Sequence, residues 1–264
     1  MKHAEFALAV IDVGQGLSVL LQTQNHALLF DTGPEFPSGF NTVQAAVLPY
    51  LNSQHIHRLD KLILSHGDKD HLGGLTHLLE NISVAEISSG EPKRVSAYLK
   101  PAQCRRGDSW QWDGVNFDVL WPVSEPLEDK KIKPTHNNQS CVLRISTAQQ
   151  SALLMGDIEK SVEQWLIAND SHLQANLLLA PHHGSNSSSS QALIQAVSPA
   201  WVVFSAGYRS RFGHPHHKVV QRYADAGVNM ATTAACGMFQ YSKSELSCFR
   251  QHGQRRWQLK KHIK

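Results

Sequence analysis

No apolar run in the sequence approaches the roughly 20 residues that a helix needs to cross a bilayer. The opening Met1-Lys2-His3-Ala4-Glu5 leads into strand-like sequence without the apolar stretch and small-residue cleavage site of a secretory signal. The polypeptide as it stands is therefore expected to be soluble. Its 4 cysteines, Cys104, Cys141, Cys236 and Cys248, lie far apart with no CxxC pair, which argues against a zinc knuckle or a redox motif. They can form two disulfides or remain buried thiols, so they leave the compartment open. No segment repeats at a fixed period. Charged residues are only 18% of the chain and the net charge is +3, too mild an excess to identify a nucleic-acid partner by composition.

What is present is an ordinary globular composition, 41% hydrophobic over 264 residues, enough for one sizeable core and far from the profile of disorder. A single domain spanning 1–264 is expected. The unusual feature is 16 histidines, many of them beside Asp, Gly and Ser.

Short β-branched apolar runs predict strands over 6–12, 18–23 and 27–30, the last two joined by a Gln24-Asn25 turn. Helical spacing follows at 43–51, a strand at 61–64 and a helix at 72–79 after Gly73-Gly74. Residues 88–115, rich in Gly, Pro and Ser, read as an insertion over the core, ahead of a strand at 117–121 and a polar loop at 122–139. Strands at 141–145, 153–155, 177–180 and 201–205 then alternate with helices at 158–168, 191–197 and 218–226, and three weak strands end the chain. Two sheets with helices outside, a four-layer αββα sandwich in the α/β class, satisfy that order.

Chemistry concentrates where strands end. Leu64-Ser65-His66-Gly67-Asp68-Lys69-Asp70-His71-Leu72-Gly73-Gly74 places four metal-ligand side chains within six residues, between an apolar strand and a helix start. His66 and Asp68 can point one way and Asp70 and His71 a neighbouring way, so one loop can organise two cations a few Å apart. The plainer alternative makes Asp70 a helix cap and the rest solvated loop. Further on, a strand ends in Gly156-Asp157 and another in His182-His183-Gly184-Ser185. Each is an ordinary turn taken alone, and together they are not. Ser185 beside histidines invites a serine-hydrolase reading, but there is no GxSxG elbow and the carboxylates around His66 suit a metal better.

In this order the motifs resemble the metallo-β-lactamase superfamily, with Asp68 where its commonest loop has a second His. Ile11-Asp12-Val13-Gly14-Gln15-Gly16, Leu29-Phe30-Asp31-Thr32-Gly33, the 64–74 loop, Asn137-Asn138-Gln139-Ser140, Gly156-Asp157, His182-His183-Gly184-Ser185 and Phe212-Gly213-His214-Pro215 look like the C-terminal domain of the ComEC/Rec2 DNA-internalisation family of bacterial competence. That family usually has an acidic residue where Leu17 stands and Asn where Ser210 stands. The resemblance implies a metallo-β-lactamase sandwich in which His66 and Asp68 hold one metal and Asp70 and His71 the other. Asp157 would bridge them, with His182 or His183 completing the set and His136, Asn137 or Asn138 as further candidates near the remaining position. Asp31 and Asn138 would orient ligands from behind, and His214 would contact the phosphate or protonate a leaving oxygen.

A carboxylate in place of an imidazole hardens the site and favours Mn²⁺, with Zn²⁺ or Mg²⁺ as alternatives. No nucleotide cofactor is expected. The implied activity is that of a nuclease degrading one strand of incoming DNA in natural transformation. Lys93, Arg94, Lys100, Arg105 and Arg106, with Arg255, Arg256, Lys260 and Lys261 in the tail, are candidate DNA contacts. The competing readings are a small-molecule or phosphorylcholine-type phosphodiesterase, and a catalytically idle DNA-binding scaffold. The resemblance also implies a membrane channel in the same parent protein and an extracytoplasmic face of the inner membrane. A stand-alone cytoplasmic hydrolase is the alternative.

Overall fold

The computed structural model of the protein describes residues 1–95, 99–124, 132–170 and 172–252. The basic tail at 255–261 lies outside them. Along the chain come strands β1 (Ala7–Val10), β2 (Val19–Gln22), β3 (Ala27–Phe30), β4 (Arg58–Leu64), β5 (Ser83–Ser89) and β6 (Ala102–Gln103). Then follow β7 (Ser109–Trp112), β8 (Val115–Trp121), β9 (Val142–Ser146), β10 (Ser151–Leu154), β11 (Leu177–Leu179), β12 (Trp201–Phe204), β13 (Asn229–Thr232), β14 (Phe239–Ser242) and β15 (Glu245–Cys248). The helices are α1 (Leu48–Ser53), entered through a wider turn at Val43–Val47, α2 (Lys69–Leu72), α3 (Leu75–Asn81), α4 (Lys160–Asn169), α5 (Gln191–Val197), α6 (His217–Asp225), α7 (Thr233–Cys236) and α8 (Phe249–His252). No helix among the described residues is long and apolar enough to cross a membrane.

The strands build an 8-stranded sheet, β15-β14-β1-β2-β3-β4-β5-β6, and a 7-stranded sheet, β13-β12-β11-β10-β9-β8-β7. Both are mixed: β3 runs parallel to β4 and β4 to β5, as β10 does to β11 and β11 to β12, while β1–β2 and β8–β9 are antiparallel. Alternation along each strand sorts side chains into layers. Leu8, Val10, Leu28 and Phe30 face Phe117, Leu143, Leu177 and Val203 of the other sheet across the inner core. Their neighbours Ala9, Ile11 and Leu29 turn outward onto Val43, Val47, Leu51 and Leu78. Leu153, Leu178 and Val202 likewise pack under Val162, Leu166, Ile194 and Tyr223. The result is the expected αββα sandwich.

The segment 88–115 departs from expectation. It is not an insertion: β6 completes one edge of the first sheet and β7 one edge of the second, so the chain crosses between sheets here. Cys104, just after β6, is disulfide-bonded to Cys141, just before β9, and Cys236 to Cys248. All of the cysteines are thus paired.

A second tie between the sheets is electrostatic. Asp113, in the β7–β8 turn, accepts from Thr23 Oγ1 at 2.6 Å, Asn25 N at 2.8 Å and Asn25 Nδ2 at 2.8 Å, and lies 3.0 Å from His26 Nδ1. All of these partners sit at the β2–β3 turn. Burial raises the carboxyl, but Thr23, His26 and Asn25 outweigh it and hold it well below the usual carboxylate range. A lowered folded pKa stabilises fully above the unfolded value, about 3.9, and the gain disappears as pH falls through the folded value. Asp113→Ala should therefore cost about 1–2 kcal/mol at pH 7 after allowing for solvent screening. The difference from the wild type should shrink in acid. Urea denaturation at pH 7 and pH 3 measures both, and coincident midpoints at pH 7 would dismiss this tie.

Candidate metal centre

The loops that carry the motifs leave the carboxyl ends of parallel strands, the edge of an α/β sheet where ligands are usually bound. β3 delivers Asp31, β4 the 65–71 loop, β10 Gly156-Asp157, β11 the Pro181–Gly184 turn and β12 Ser205. Asp31 has left-handed backbone at φ +61° and is fully buried. One of its oxygens accepts from Ser65 N at 2.6 Å, the other from Ser65 Oγ at 2.7 Å and His71 Nδ1 at 2.8 Å. Its neighbour Thr32 grips the far end of the same loop, N and Oγ1 donating to His71 O at 2.7 and 3.0 Å. Gly16, from the loop after β1, lies so close to the Asp70 carbonyl that any side chain there would collide with it.

α2 begins at Lys69 and Asp70 lies in its first turn, so Asp70 is not the cap; Asp68 holds that position and makes no capping hydrogen bond. Both carboxylates are free for other work. Asp70, His71, Asp157 and His183 each bring a ligand atom to within 4.8 Å of the others. His71 Nε2 lies 3.2 Å from Asp157 Oδ1, and His183 Nε2 lies 3.4 Å from Asp70 Oδ2 and 3.5 Å from Asp157 Oδ2. His66 and Asp68 stand beside this cluster, 3.6 Å apart, with the His66 ring centroid 4.3 Å from that of His71.

The residues fit a divalent cation on grounds internal to the structure. His183 Nδ1 donates to the Ser205 carbonyl at 2.9 Å and His71 Nδ1 to Asp31, which leaves each Nε2 to carry a proton or offer its lone pair to a cation. Those nitrogens face each other at 3.2 Å, an arrangement that needs a shared proton or a cation between them. His66 Nε2 and Asp157 Oδ1 are also buried and make no hydrogen bond. Burial lowers the His71 pKa, but Asp157, Asp31 and Asp70 raise it well above the ordinary value; His183 is likewise raised by Asp157 and Asp70 against burial. Burial raises the Asp70 carboxyl, yet His71 and His183 bring it down to about 2. Asp157, pushed up by burial, is held well below the carboxylate range by His183 and His71. Metal binding at such a site displaces imidazole protons.

Sequence could not separate His182 from His183, and geometry does. Both have left-handed backbone, φ +51° and +54°, a conformation that costs of order 1–3 kcal/mol per non-glycine residue. It turns His183 into the cluster and His182 toward the rim, with Nε2 3.7 Å from Asp157 Oδ2 and Nδ1 near Ser187 Oγ at 3.2 Å. Other expectations land elsewhere. His136 points its Nδ1 at Glu91 Oε1, 2.7 Å away, and is mostly exposed; Glu91 in turn accepts from Gly67 N at 2.8 Å. Asn138 does not back a ligand directly: it braces Glu159, accepting from its N at 3.0 Å, and donates to Lys133 O at 3.0 Å. Asn137, the other candidate on that turn, lies 3.5 Å from His182 Nδ1. The candidate DNA contacts differ in how they are held. Arg94 lies 3.4 Å from Asp68 and Lys93 and Arg105 are exposed. Arg106 is instead tied down, donating to Asn169 O at 2.7 Å and lying over the Trp165 ring.

Two serines sit inside the quoted motifs without having been singled out there. Ser140 Oγ accepts from Asp157 N at 3.0 Å and reaches His66 Nδ1 at 3.3 Å, while Ser65 Oγ reaches His66 Nδ1 at 3.0 Å. At the rim, the His214 ring centroid is 5.8 Å from that of His182 and 6.3 Å from that of His183. Burial, then His183 and His182, lower its pKa to about 4, so the imidazole is neutral at pH 7.

A four-layer sandwich with a His/Asp cluster at the carboxyl ends of its strands is the arrangement of the metallo-beta-lactamase superfamily; the family profile matches residues 11–207, and the chain belongs to that superfamily. The chain is 38% identical over 238 residues to competence protein ComA of Neisseria gonorrhoeae, covering 90% of this chain and 32% of that protein. Recombination protein 2 of Haemophilus influenzae is 32% identical over 84% of this chain and 27% of its own length. The chain thus spans about a third of the curated relatives it matches. Among solved structures, the metallo-beta-lactamase fold protein YhfI from Bacillus subtilis superposes with TM-score 0.57 at 13% identity, covering 90% of this chain and 99% of that one. CmlA, a diiron beta-hydroxylase from Streptomyces venezuelae, gives TM-score 0.55 at 13% identity over 90% of this chain and 54% of its own. These two likenesses are of fold alone.

Proposed function

We propose that this chain is a divalent-metal phosphodiester hydrolase that degrades a single DNA strand during uptake, as the extracytoplasmic part of a larger inner-membrane protein. The observation that carries the reading is the oxygen-rich donor set of Asp70, His71, Asp157 and His183, with Asp68 and His66 beside it. In this reading His66 and Asp68 would hold one ion and Asp70, His71 and His183 the other, with Asp157 as a further ligand. Three carboxylates suit Mn²⁺ better than Zn²⁺. A bound pair would supply hydroxide near neutral pH and neutralise phosphate charge. The chain's own residues do the rest: Asp31 and Ser205 aim His71 and His183, and the half-exposed Arg94 beside Asp68 offers a guanidinium to a neighbouring phosphate. DNA as substrate is supported by relatives named for competence and recombination. The paired cysteines suit an oxidising compartment.

The test is turnover of single-stranded DNA, duplex DNA and bis-p-nitrophenyl phosphate by protein loaded in turn with Mn²⁺, Mg²⁺ and Zn²⁺. The expected outcome is cleavage of single-stranded DNA, highest with Mn²⁺ and abolished by EDTA. Cleavage of the small ester alone would favour the small-molecule phosphodiesterase. DNA retention without cleavage under every ion, unaltered by Asp70→Ala, would leave a binding scaffold.

A further inference from the structure

The loop around Gln15 meets the 210–214 segment at the rim, and a chain of hydrogen bonds runs between them to His214 with its direction fixed at one end. The backbone N–H of Phe212, 3.3 Å from Ser210 Oγ, can only donate, so the hydroxyl accepts there and turns its own proton away. Gln15 Oε1 receives that proton at 2.8 Å. With its carbonyl oxygen engaged, the Gln15 amide presents Nε2 to His214 Nδ1 at 3.4 Å, and an amide nitrogen only donates. His214 Nδ1 is therefore the acceptor and the ring proton resides on Nε2. A flipped amide would put an NH₂ donor where the Ser210 proton now has its acceptor at 2.8 Å. The ring lies near-parallel to Phe212, with centroids 5.8 Å apart at 26°, and to His183, at 6.3 Å and 22°.

We propose that Gln15 is a positioning residue that fixes His214 as the neutral Nε2–H tautomer, so that this nitrogen lends a hydrogen bond to the leaving oxygen of the substrate. The tautomer stands on the hydrogen-bond chain alone, and its use in catalysis rests on the phosphodiesterase reading. A neutral imidazole keeps its proton, so the contribution is stabilisation of developing charge and not proton transfer. Ser210, which stands where the resembled family usually has Asn, works here through its hydroxyl as the link between Phe212 and Gln15.

The full chain labelled with ¹⁵N-histidine gives a direct readout at neutral pH, with His214 assigned by the signal missing in His214→Ala. The wild type should show a protonated Nε2 and an unprotonated Nδ1. Gln15→Glu places an acceptor where the donor was and should move a proton onto Nδ1; Gln15→Leu should leave a mixture. An unprotonated Nε2 in the wild type, or no change in Gln15→Glu, overturns the proposal. In the Mn²⁺-loaded enzyme, Gln15→Glu should slow DNA cleavage about tenfold more than cleavage of bis-p-nitrophenyl phosphate, whose nitrophenolate departs unaided. Equal losses on both esters overturn the leaving-oxygen assignment. Failure of the wild type to cut DNA at all would sink the nuclease reading, while the nitrogen signals would still decide the tautomer.

Discussion

Asp157→Ala is expected to reduce divalent-dependent phosphodiester cleavage by roughly 10³-fold or more while leaving the protein folded. The carboxylate faces His71, His183 and His182 at 3.2, 3.5 and 3.7 Å, so its removal takes an oxygen donor from the middle of the cluster. The loop that presents it is held independently of the side chain. Gly156 takes φ +54° and the Asp157 N–H binds Ser140 Oγ. His182 N also donates to the Gly156 carbonyl at 3.0 Å. Removing the carboxylate therefore removes a ligand without removing the turn. Calorimetric titration with Mn²⁺ should show loss of binding in parallel, and circular dichroism should match the wild type. Retained cleavage at unchanged Mn²⁺ affinity would refute the ligand assignment.

The fold was legible in the sequence wherever one face of an element is buried. Leu8/Ala9/Val10 and Leu177/Leu178/Leu179 are apolar at every position because both faces of their strands are covered, one by the opposing sheet and one by helices. The strands that escaped are those near an edge. β5, Ser83–Ser89, exposes much of its length, and β6 has only 2 residues. β7 alternates exposed positions with half-buried tryptophans inside a Gly- and Arg-rich stretch. Composition said loop there because the pattern of burial that betrays a strand is weak.

The site divides in the same way. Asp and His crowded at the ends of apolar strands announce themselves, and His66, Asp68, Asp70, His71 and Asp157 do lie together. What holds them does not, because a serine hydroxyl or a carbonyl oxygen is common everywhere. Ser65, Ser140 and Ser205 act through position, brought from different strands by the register of two sheets. The choice between His182 and His183 depends on two successive left-handed residues, which no side-chain pattern encodes. Glu91 draws His136 aside from 45 residues away in sequence.

Asp31 illustrates how such support can be as decisive as a ligand. Asp31→Asn changes little in size, yet only one oxygen remains to accept, and Ser65 N at 2.6 Å claims it. The new NH₂ then faces Ser65 Oγ and His71 Nδ1, where an acceptor had stood at 2.7 and 2.8 Å. His71 must present a lone pair to that NH₂, which moves its ring proton to Nε2, the atom proposed to bind metal. Loss of such a partner typically lowers metal affinity 10–100-fold, and that loss in Mn²⁺ binding is expected for Asp31→Asn in a protein that still folds. Asp31→Ala should go further. It strands Ser65 N and Oγ and His71 Nδ1 in a fully buried position, at a cost of about 3 kcal/mol in stability. It also leaves a non-glycine residue in left-handed backbone without the contacts that held it there. Mn²⁺ titration of the Asn variant and urea denaturation of the Ala variant separate the two effects. Wild-type affinity in the first would mean that His71 does not bind through Nε2, and the ligand set would have to be redrawn around His183 and Asp157.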